Sequence, residues 1–213
     1  MIPVRILAVR YLANASPALA EALGAPKGYR CLGMLTTDCD DATYIALDAA
    51  TKAAEVEVVY GRSFYAGAAN ASTPNAGEVI GILAGATPGA VKSGMEAAIS
   101  TLNRMGFEEV GGVPYLAHTV SSVGSYLAKE AGVRQGSAIA YLIAPPLESM
   151  YAMDAALKAA DVKLCKLYSP PSETNYGGGL LSGTQSACDA ACAAFASAVA
   201  EVAGRPKERE YGI

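Results

Sequence analysis

The chain has 213 residues, 52% hydrophobic and 17% charged, which is enough apolar material for one large core or two cores of about 100 residues each. The net charge of −4 and the absence of any Lys/Arg cluster exclude a nucleic-acid-binding surface, so we expect no nucleic acid partner. One histidine and five cysteines without CxxC spacing argue against a metal, and we expect no cofactor, no signal peptide and no membrane partner.

The first half of the chain is predicted to alternate short strands and helices. Alternating or continuous apolar residues predict the strands, and capping residues predict the helix starts. In chain order the predicted elements are a strand over 4–12, a helix from Ser16-Pro17 to Gly24, a strand over 31–37, a helix capped by Asp40 or Asp41, strands over 56–60 and 78–83, and a helix opened by Thr87-Pro88.

The second half is predicted to contain the same kinds of element in the same order. These are strands over 115–121, 138–143, 162–168 and 179–181, a helix over 123–131, a helix opened by Pro145-Pro146 and a helix opened by Thr184. The fold class predicted from both halves is therefore α+β, with helices packed on a small sheet in each half.

An internal repeat supports this organisation. The segment 48–56, Asp-Ala-Ala-Thr-Lys-Ala-Ala-Glu-Val, recurs as Asp-Ala-Ala-Leu-Lys-Ala-Ala-Asp-Val over 154–162. Tyr44 pairs with Tyr151 at nearly the same offset, and two glycines upstream recur as well. Because each offset is close to half the chain length, we predict two tandem domains, 1–112 and 113–213.

The sequence holds no recognisable catalytic set, so no catalytic residue is assigned. His118 lies in an apolar strand, where a lone histidine is more often structural than a base. The glycine-rich run over 176–186 either cradles a phosphate or, more simply, forms a strand, a turn and a helix start. The alanine-rich segment over 187–203 favours close packing, either inside one chain or between chains.

Four acidic or polar positions are candidates for binding a small molecule. Asp40 and Asp41 lie at a predicted helix start, where they serve either the helix N-terminus or a cationic ligand. Glu78 opens an apolar strand and is either solvated or turned into a pore. Thr174 lies in a loop whose turn chemistry explains most of its sequence.

Several motifs together resemble one family. The repeated Asp-Ala-Ala-x-Lys-Ala-Ala motif, preceded by Leu-Gly-Met-Leu over 32–35, resembles the bacterial microcompartment (BMC) shell domain, and its duplication resembles the tandem, trimer-forming class of that domain. Further segments resemble the EutL type of ethanolamine-utilisation shell protein; they span 40–44, 58–69, 76–79, 124–127, 140–148 and 171–176.

The resemblance implies two circularly permuted BMC-type domains per chain, a homotrimeric pseudohexamer, and assembly with other shell proteins in the bacterial cytoplasm. It also implies a small pore for a polar metabolite such as ethanolamine, at positions matched by Asp40, Asp41, Glu78 and Thr174. The matching central-pore loop consists of Tyr65, Ala66, Gly67, Ala68, Ala69 and Asn70.

We therefore predict a non-enzymatic shell subunit with pores for small metabolites. A second hypothesis is a small-molecule binding or sensor protein that uses the same duplicated domain without tiling. A third is an enzyme in which Asp40 and Glu78 form an acid/base pair.

Overall fold

The computed structural model describes residues 1–64, 75–170, 172 and 174–207. It contains ten strands and six helices within these ranges. In chain order they are β1 (Ile2–Pro3), β2 (Ile6–Leu12), α1 (Pro17–Ala22), β3 (Cys31–Thr37), α2 (Asp40–Ala53), β4 (Val56–Ser63), β5 (Val79–Gly85), α3 (Pro88–Leu102), β6 (Gly106–Val110), β7 (Val113–Val120), α4 (Ser125–Ala131), β8 (Ala138–Ala144), α5 (Pro146–Ala159), β9 (Val162–Tyr168), β10 (Gly177–Gly183) and α6 (Gln185–Gly204).

The chain divides into two compact units. The four-strand unit consists of Pro3–Gly106 together with Val123–Glu130, and the six-strand unit consists of Met1–Ile2, Phe107–Ser122 and Ala131–Ile213. The division of the sequence repeat into 1–112 and 113–213 stays a prediction.

The two sheets share one arrangement of strands. The four-stranded sheet has the order β2-β3-β5-β4, and the six-stranded sheet contains the same arrangement as β7-β8-β10-β9, extended by β1 and β6. Helices α2 and α3 pack together in one unit, and α5 and α6 pack together in the other. The predicted α+β class, with helices on a small sheet in each half, is confirmed.

The turn glycines repeat as well. Gly24 and Gly28 have φ angles of 72° and 91°, and Gly132 and Gly136, which lie 108 residues later, have φ angles of 64° and 84°. Left-handed backbone at four matched positions shows that the helix-to-strand turn is the same in both copies.

Two of the predicted helix starts are confirmed by their caps. The Thr87 hydroxyl oxygen accepts a hydrogen bond from the Ala90 N–H at 3.2 Å, and the Thr184 hydroxyl oxygen accepts one from the Ala187 N–H at 3.2 Å. The glycine-rich run over 176–186 thus forms strand β10, a capping threonine and the start of α6, which confirms its structural interpretation.

The predicted cap of α2 is wrong. The cap residue is Cys39, whose backbone is extended, and Asp40 and Asp41 are the first two residues of the helix itself. A carboxylate in the first turn still gains from the positive end of the helix dipole, which stabilises it without capping geometry. The sequence prediction also missed β6.

Each unit has its own apolar core. In the six-strand unit, alternate residues of β8 meet one face of α5 and α6; the core includes Leu142, Met153, Leu181, Phe195 and Val199. In the four-strand unit the largest fully buried side chains include Leu32, Leu35, Leu47, Leu83 and Met95.

The burial of helix α6 supports the first packing alternative for the alanine-rich segment, which is close packing inside one chain. Its Cys188, Phe195 and Val199 are fully buried in the core of the six-strand unit, so one face of the helix packs inside the chain. Among the described residues α6 is also the one helix long and apolar enough to cross a membrane by length and composition, a test that buried core helices pass as well.

Candidate functional site: an acidic cluster at the start of helix α2

The backbone brings Glu78 to the start of α2. Glu78 directly precedes β5, the central strand that pairs with both β3 and β4. Its N–H donates to the Thr37 carbonyl oxygen at 2.8 Å, and its own carbonyl oxygen accepts from the Phe64 N–H at 2.9 Å. Strand pairing on both sides therefore fixes the Glu78 backbone beside the turn that leads from β3 into α2.

Two buried threonines hold that turn. The hydroxyl oxygens of Thr37 and Thr43 lie 2.7 Å apart, and each lies within 3.0 Å of the Cys39 carbonyl oxygen. The Cys39 N–H donates back to the Thr37 hydroxyl oxygen at 3.2 Å. This closed set of hydrogen bonds satisfies the buried polar groups and fixes the backbone from which Asp40 and Asp41 project.

Asp38, the first carboxylate of the sequence Asp-Cys-Asp-Asp, has a different role. It accepts hydrogen bonds from the Arg5 backbone N–H at 2.8 Å and from Arg5 Nε at 2.6 Å. The contact joins the start of β2 to the end of β3, and the Asp38 carboxylate raises the pKa of the Arg5 guanidinium. Asp38 is therefore a structural partner of Arg5.

The remaining three carboxylates share one environment. Asp40 and Asp41 are each only 7% exposed, and Glu78 is half-buried. Burial first, and then the negative charges of Asp41, Asp40 and Glu78, raise the pKa of the Cys39 thiol well above its usual value. The structure thus places Glu78, through its backbone bond to Thr37, near the segment that carries Cys39, Asp40 and Asp41, and the Cys39 thiol stays neutral at physiological pH.

The acidic cluster consists of groups that are able to bind a cation. Ionised carboxylates only accept hydrogen bonds, and they bind ammonium donors more strongly than neutral acceptors do. Within the described ranges no three His, Cys, Asp or Glu side chains are grouped so that they could hold a metal ion.

Thr174 lies in the six-strand unit, in the loop before β10. Its hydroxyl oxygen accepts from the Tyr176 N–H at 3.3 Å, and its own N–H donates to the Ser172 hydroxyl oxygen at 3.3 Å. These bonds support the turn interpretation of Thr174. The predicted central-pore residues 65–70 lie outside the described residues.

Sequence reasoning missed two residues that support this region. Gly77 has a φ angle of 65°, and a Cβ atom there would lie 2.1 Å from the Thr37 carbonyl oxygen. Asp48, part of the repeated motif, is fully buried and binds backbone N–H groups of Gly124 and Leu127. The position of Gly77 next to Glu78 is the sequence signal that could have identified Gly77. No local sequence feature distinguishes Asp48 from its copy, Asp154.

Comparison with known proteins decides the family. A model of the BMC domain matches residues 31–113. The bacterial microcompartment shell protein EutL of Clostridium perfringens is 56% identical over 210 residues, which cover 97% of each chain, and that of Salmonella typhimurium is 47% identical over 96% of this chain and 95% of its own. The chain belongs to the EutL family of bacterial microcompartment shell proteins. The crystal structure of the ethanolamine utilization protein EutL from Leptotrichia buccalis is 55% identical, covers 99% of this chain and 98% of its own, and has a TM-score of 0.94.

Membership of this family gives the chain a structural role in the shell of a microcompartment, rather than a catalytic one. The predicted fold, family and non-enzymatic role are therefore confirmed.

Proposed function

We propose that the chain forms a homotrimeric shell subunit whose acidic cluster lines a narrow passage for a small cationic metabolite of the ethanolamine type. Asp40, Asp41 and Glu78 supply the negative charge, and Thr174 supplies a neutral oxygen. In this proposal the trimer assembles with other shell proteins in a microcompartment shell in the bacterial cytoplasm. Residues 65–70 are kept as the predicted loop at the central pore.

The duplicated fold supports the trimer. Since each chain carries the strand arrangement β2-β3-β5-β4 and its copy β7-β8-β10-β9, three chains supply six similar modules. Closed rings of identical chains are the common form of soluble oligomers, and six like modules tile a flat layer.

The single observation that supports the passage is that Glu78 is held beside the rigid turn from which Asp40 and Asp41 project. Their backbone is fixed by strand pairing and by the two buried threonines, so the charge is preorganised. The second copy carries less of this charge, because the first turn of α5 has a single carboxylate, Glu148, where that of α2 has Asp40 and Asp41. One acidic cluster per chain would give three per trimer.

Assembly is tested first, with the purified chain. Analytical ultracentrifugation should give the mass of three chains, and electron microscopy at higher concentration should show sheets or tubes. A stable monomer would contradict the trimer. Discrete particles that never tile would favour the sensor hypothesis over the shell subunit.

Ligand selection is tested separately by calorimetry with ethanolamine. We expect weak binding that declines with salt, and Glu78→Gln should weaken it roughly fivefold, about 1 kcal/mol. Ethylene glycol, which lacks the ammonium group, should not bind detectably. Glu57→Gln, at an exposed carboxylate of β4, is the matched control and should leave the affinity unchanged. Equal affinities for Glu78→Gln and the parent chain would remove Glu78 from the passage.

A further inference from the structure

The four-strand unit contains a contact that the sequence repeat duplicates. Residues 123–130, which belong to the second half of the chain, lie on α2 of the first half. Asp48 of α2 is fully buried and accepts the Gly124 N–H at 2.7 Å and the Leu127 N–H at 2.8 Å. Lys52, one turn further along α2, lies 3.4 Å from the same carboxylate. The start of α4 is thus held by a buried carboxylate.

Two further pairs complete this contact. The Ser125 N–H donates to the Thr51 hydroxyl oxygen at 3.1 Å. Tyr126 covers Gly61 of β4, where a Cβ atom would lie 2.8 Å from the tyrosine oxygen. The Leu127 side chain is fully buried. The contact between residues 123–130 and the first half of the chain therefore combines hydrogen bonds, the packing of Tyr126 on Gly61 and a buried leucine.

The copies of these groups are present but uncovered. Asp154 and Lys158 of α5 repeat Asp48 and Lys52 and form an ion pair, yet the Asp154 side chain is 63% exposed. Leu19 of α1 repeats Leu127 and is 44% exposed instead of fully buried. The cap residue of α1, Ser16, makes no side-chain capping bond.

Some residues of the internal contact are replaced by different residues in the other copy. In these cases both residues of a contacting pair are replaced. Leu157 replaces Thr51 and Pro17 replaces Ser125, so the positions of the acceptor and of the donor of one hydrogen bond are both occupied by apolar residues. Likewise Leu167, which is 45% exposed, replaces Gly61, and Ala18 replaces Tyr126. A large residue on a small one becomes a small residue on a large one, which keeps the volume similar.

We infer that the exposed face of α5, with Leu147, Tyr151 and Asp154, binds residues 15–22 of a second copy of the chain. This inference rests on the proposed trimer and identifies its contact: the Asp154 carboxylate accepts the backbone N–H groups of the partner's Ser16 and the partner's Leu19. Paired replacements on α5 with β9 and on α1 are expected if these two surfaces contact each other. Exposed Leu147, at 63%, and Tyr151, at 47%, add apolar area beside the carboxylate.

One difference limits how closely the new contact can copy the internal one. A Cβ atom on Gly124 would lie 2.2 Å from the Thr51 hydroxyl oxygen, and the counterpart of Gly124 is Ser16, which has a Cβ atom. The partner's α1 must therefore sit somewhat further from α5 than α4 does from α2. The carboxylate-to-backbone bonds are the part of the contact that is conserved.

Sedimentation of variants tests the contact. Asp154→Ala should raise the concentration at which the trimer dissociates by about tenfold or more, since each subunit contact loses hydrogen bonds to a charged acceptor. Glu96→Ala is the matched control, because Glu96 is also 63% exposed and also pairs with a lysine one turn away. The control should dissociate at the same concentration as the parent chain.

Amide hydrogen exchange of the parent chain gives a second measurement that needs no variant. Backbone N–H groups over 16–19 should become protected as the concentration rises through the trimer range, whereas those over 124–127 should be protected throughout. A trimer with no added protection over 16–19, and no effect of Asp154→Ala, overturns this inference and leaves the trimer standing. A parent chain that stays monomeric overturns the proposed function itself.

Discussion

Replacing Asp48 by alanine is expected to destabilise the chain strongly. The carboxylate is fully buried, and it accepts two backbone N–H groups at 2.7 and 2.8 Å. Its removal leaves both N–H groups without an acceptor in a place that water reaches poorly. Each such group costs about 1–3 kcal/mol, and loss of one partner from a buried charged network costs about 3–5 kcal/mol.

The expected loss for Asp48→Ala is therefore about 3–5 kcal/mol, a large part of the roughly 5–15 kcal/mol that holds a typical domain folded. Lys52 reduces the loss slightly, since its side chain is 37% exposed and can be hydrated when its partner is gone. Residues 123–130 should lose their amide protection first, because Asp48 holds the start of α4.

Urea unfolding followed by circular dichroism measures the change in the free energy of unfolding. Glu96→Ala serves as the control and should change it by less than about 1 kcal/mol, as for other exposed ion pairs. If Asp48→Ala costs no more than this control, the buried carboxylate does not hold α4, and the reasoning from internal contact to subunit contact fails with it.

Two further predictions concern the site and the core. Gly77→Ala should lower the free energy of unfolding by more than about 2 kcal/mol, because it strains a positive φ angle and places a Cβ atom 2.1 Å from the Thr37 carbonyl oxygen; Gly89→Ala, at an open helical position, should not. Burial raises the pKa of the Cys192 thiol to about 11 from 9.0. The unfolded thiol therefore ionises first, and stability should fall between pH 9 and pH 11 by about 1.4 kcal/mol per pH unit more in the parent chain than in Cys192→Ala. Identical pH profiles for the two proteins would contradict the shift.

Local patterns were sufficient for most of the fold. Strands β3, predicted as a buried strand, and β9 were predicted with the bounds that the structure shows, and threonine before a helix marked the starts of α3 and α6. These features depend on neighbours in the sequence, where capping and periodicity act. Strand β6 was missed because its residues, Gly106–Val110, contain two adjacent glutamates and show no clear alternation.

Features that depend on distant residues were not predictable in the same way. The sequence motif around Asp48 is almost identical to the motif around Asp154, yet the Asp48 carboxylate is buried and the Asp154 carboxylate is exposed. The difference comes from residues 123–130, which fold back on the first copy; Gly124 and Leu127, which bind Asp48, lie 76 and 79 residues from it in sequence. Asp40, Asp41 and Glu78 were each singled out from their sequence context, and only a resemblance assigned them to one site. Their proximity depends on the pairing of β5 with β3, which no local pattern predicts.

Fusing two copies of one module into a single gene removes a constraint that a ring of separate identical modules cannot escape. In such a ring every substitution is present at all positions at once, so a charge useful at one opening is imposed on every other. Here Asp40 and Pro146 occupy matched positions at the starts of α2 and α5, and each evolves alone. Selection can thus adjust the electrostatics of one copy while the scaffold that both copies share stays unchanged.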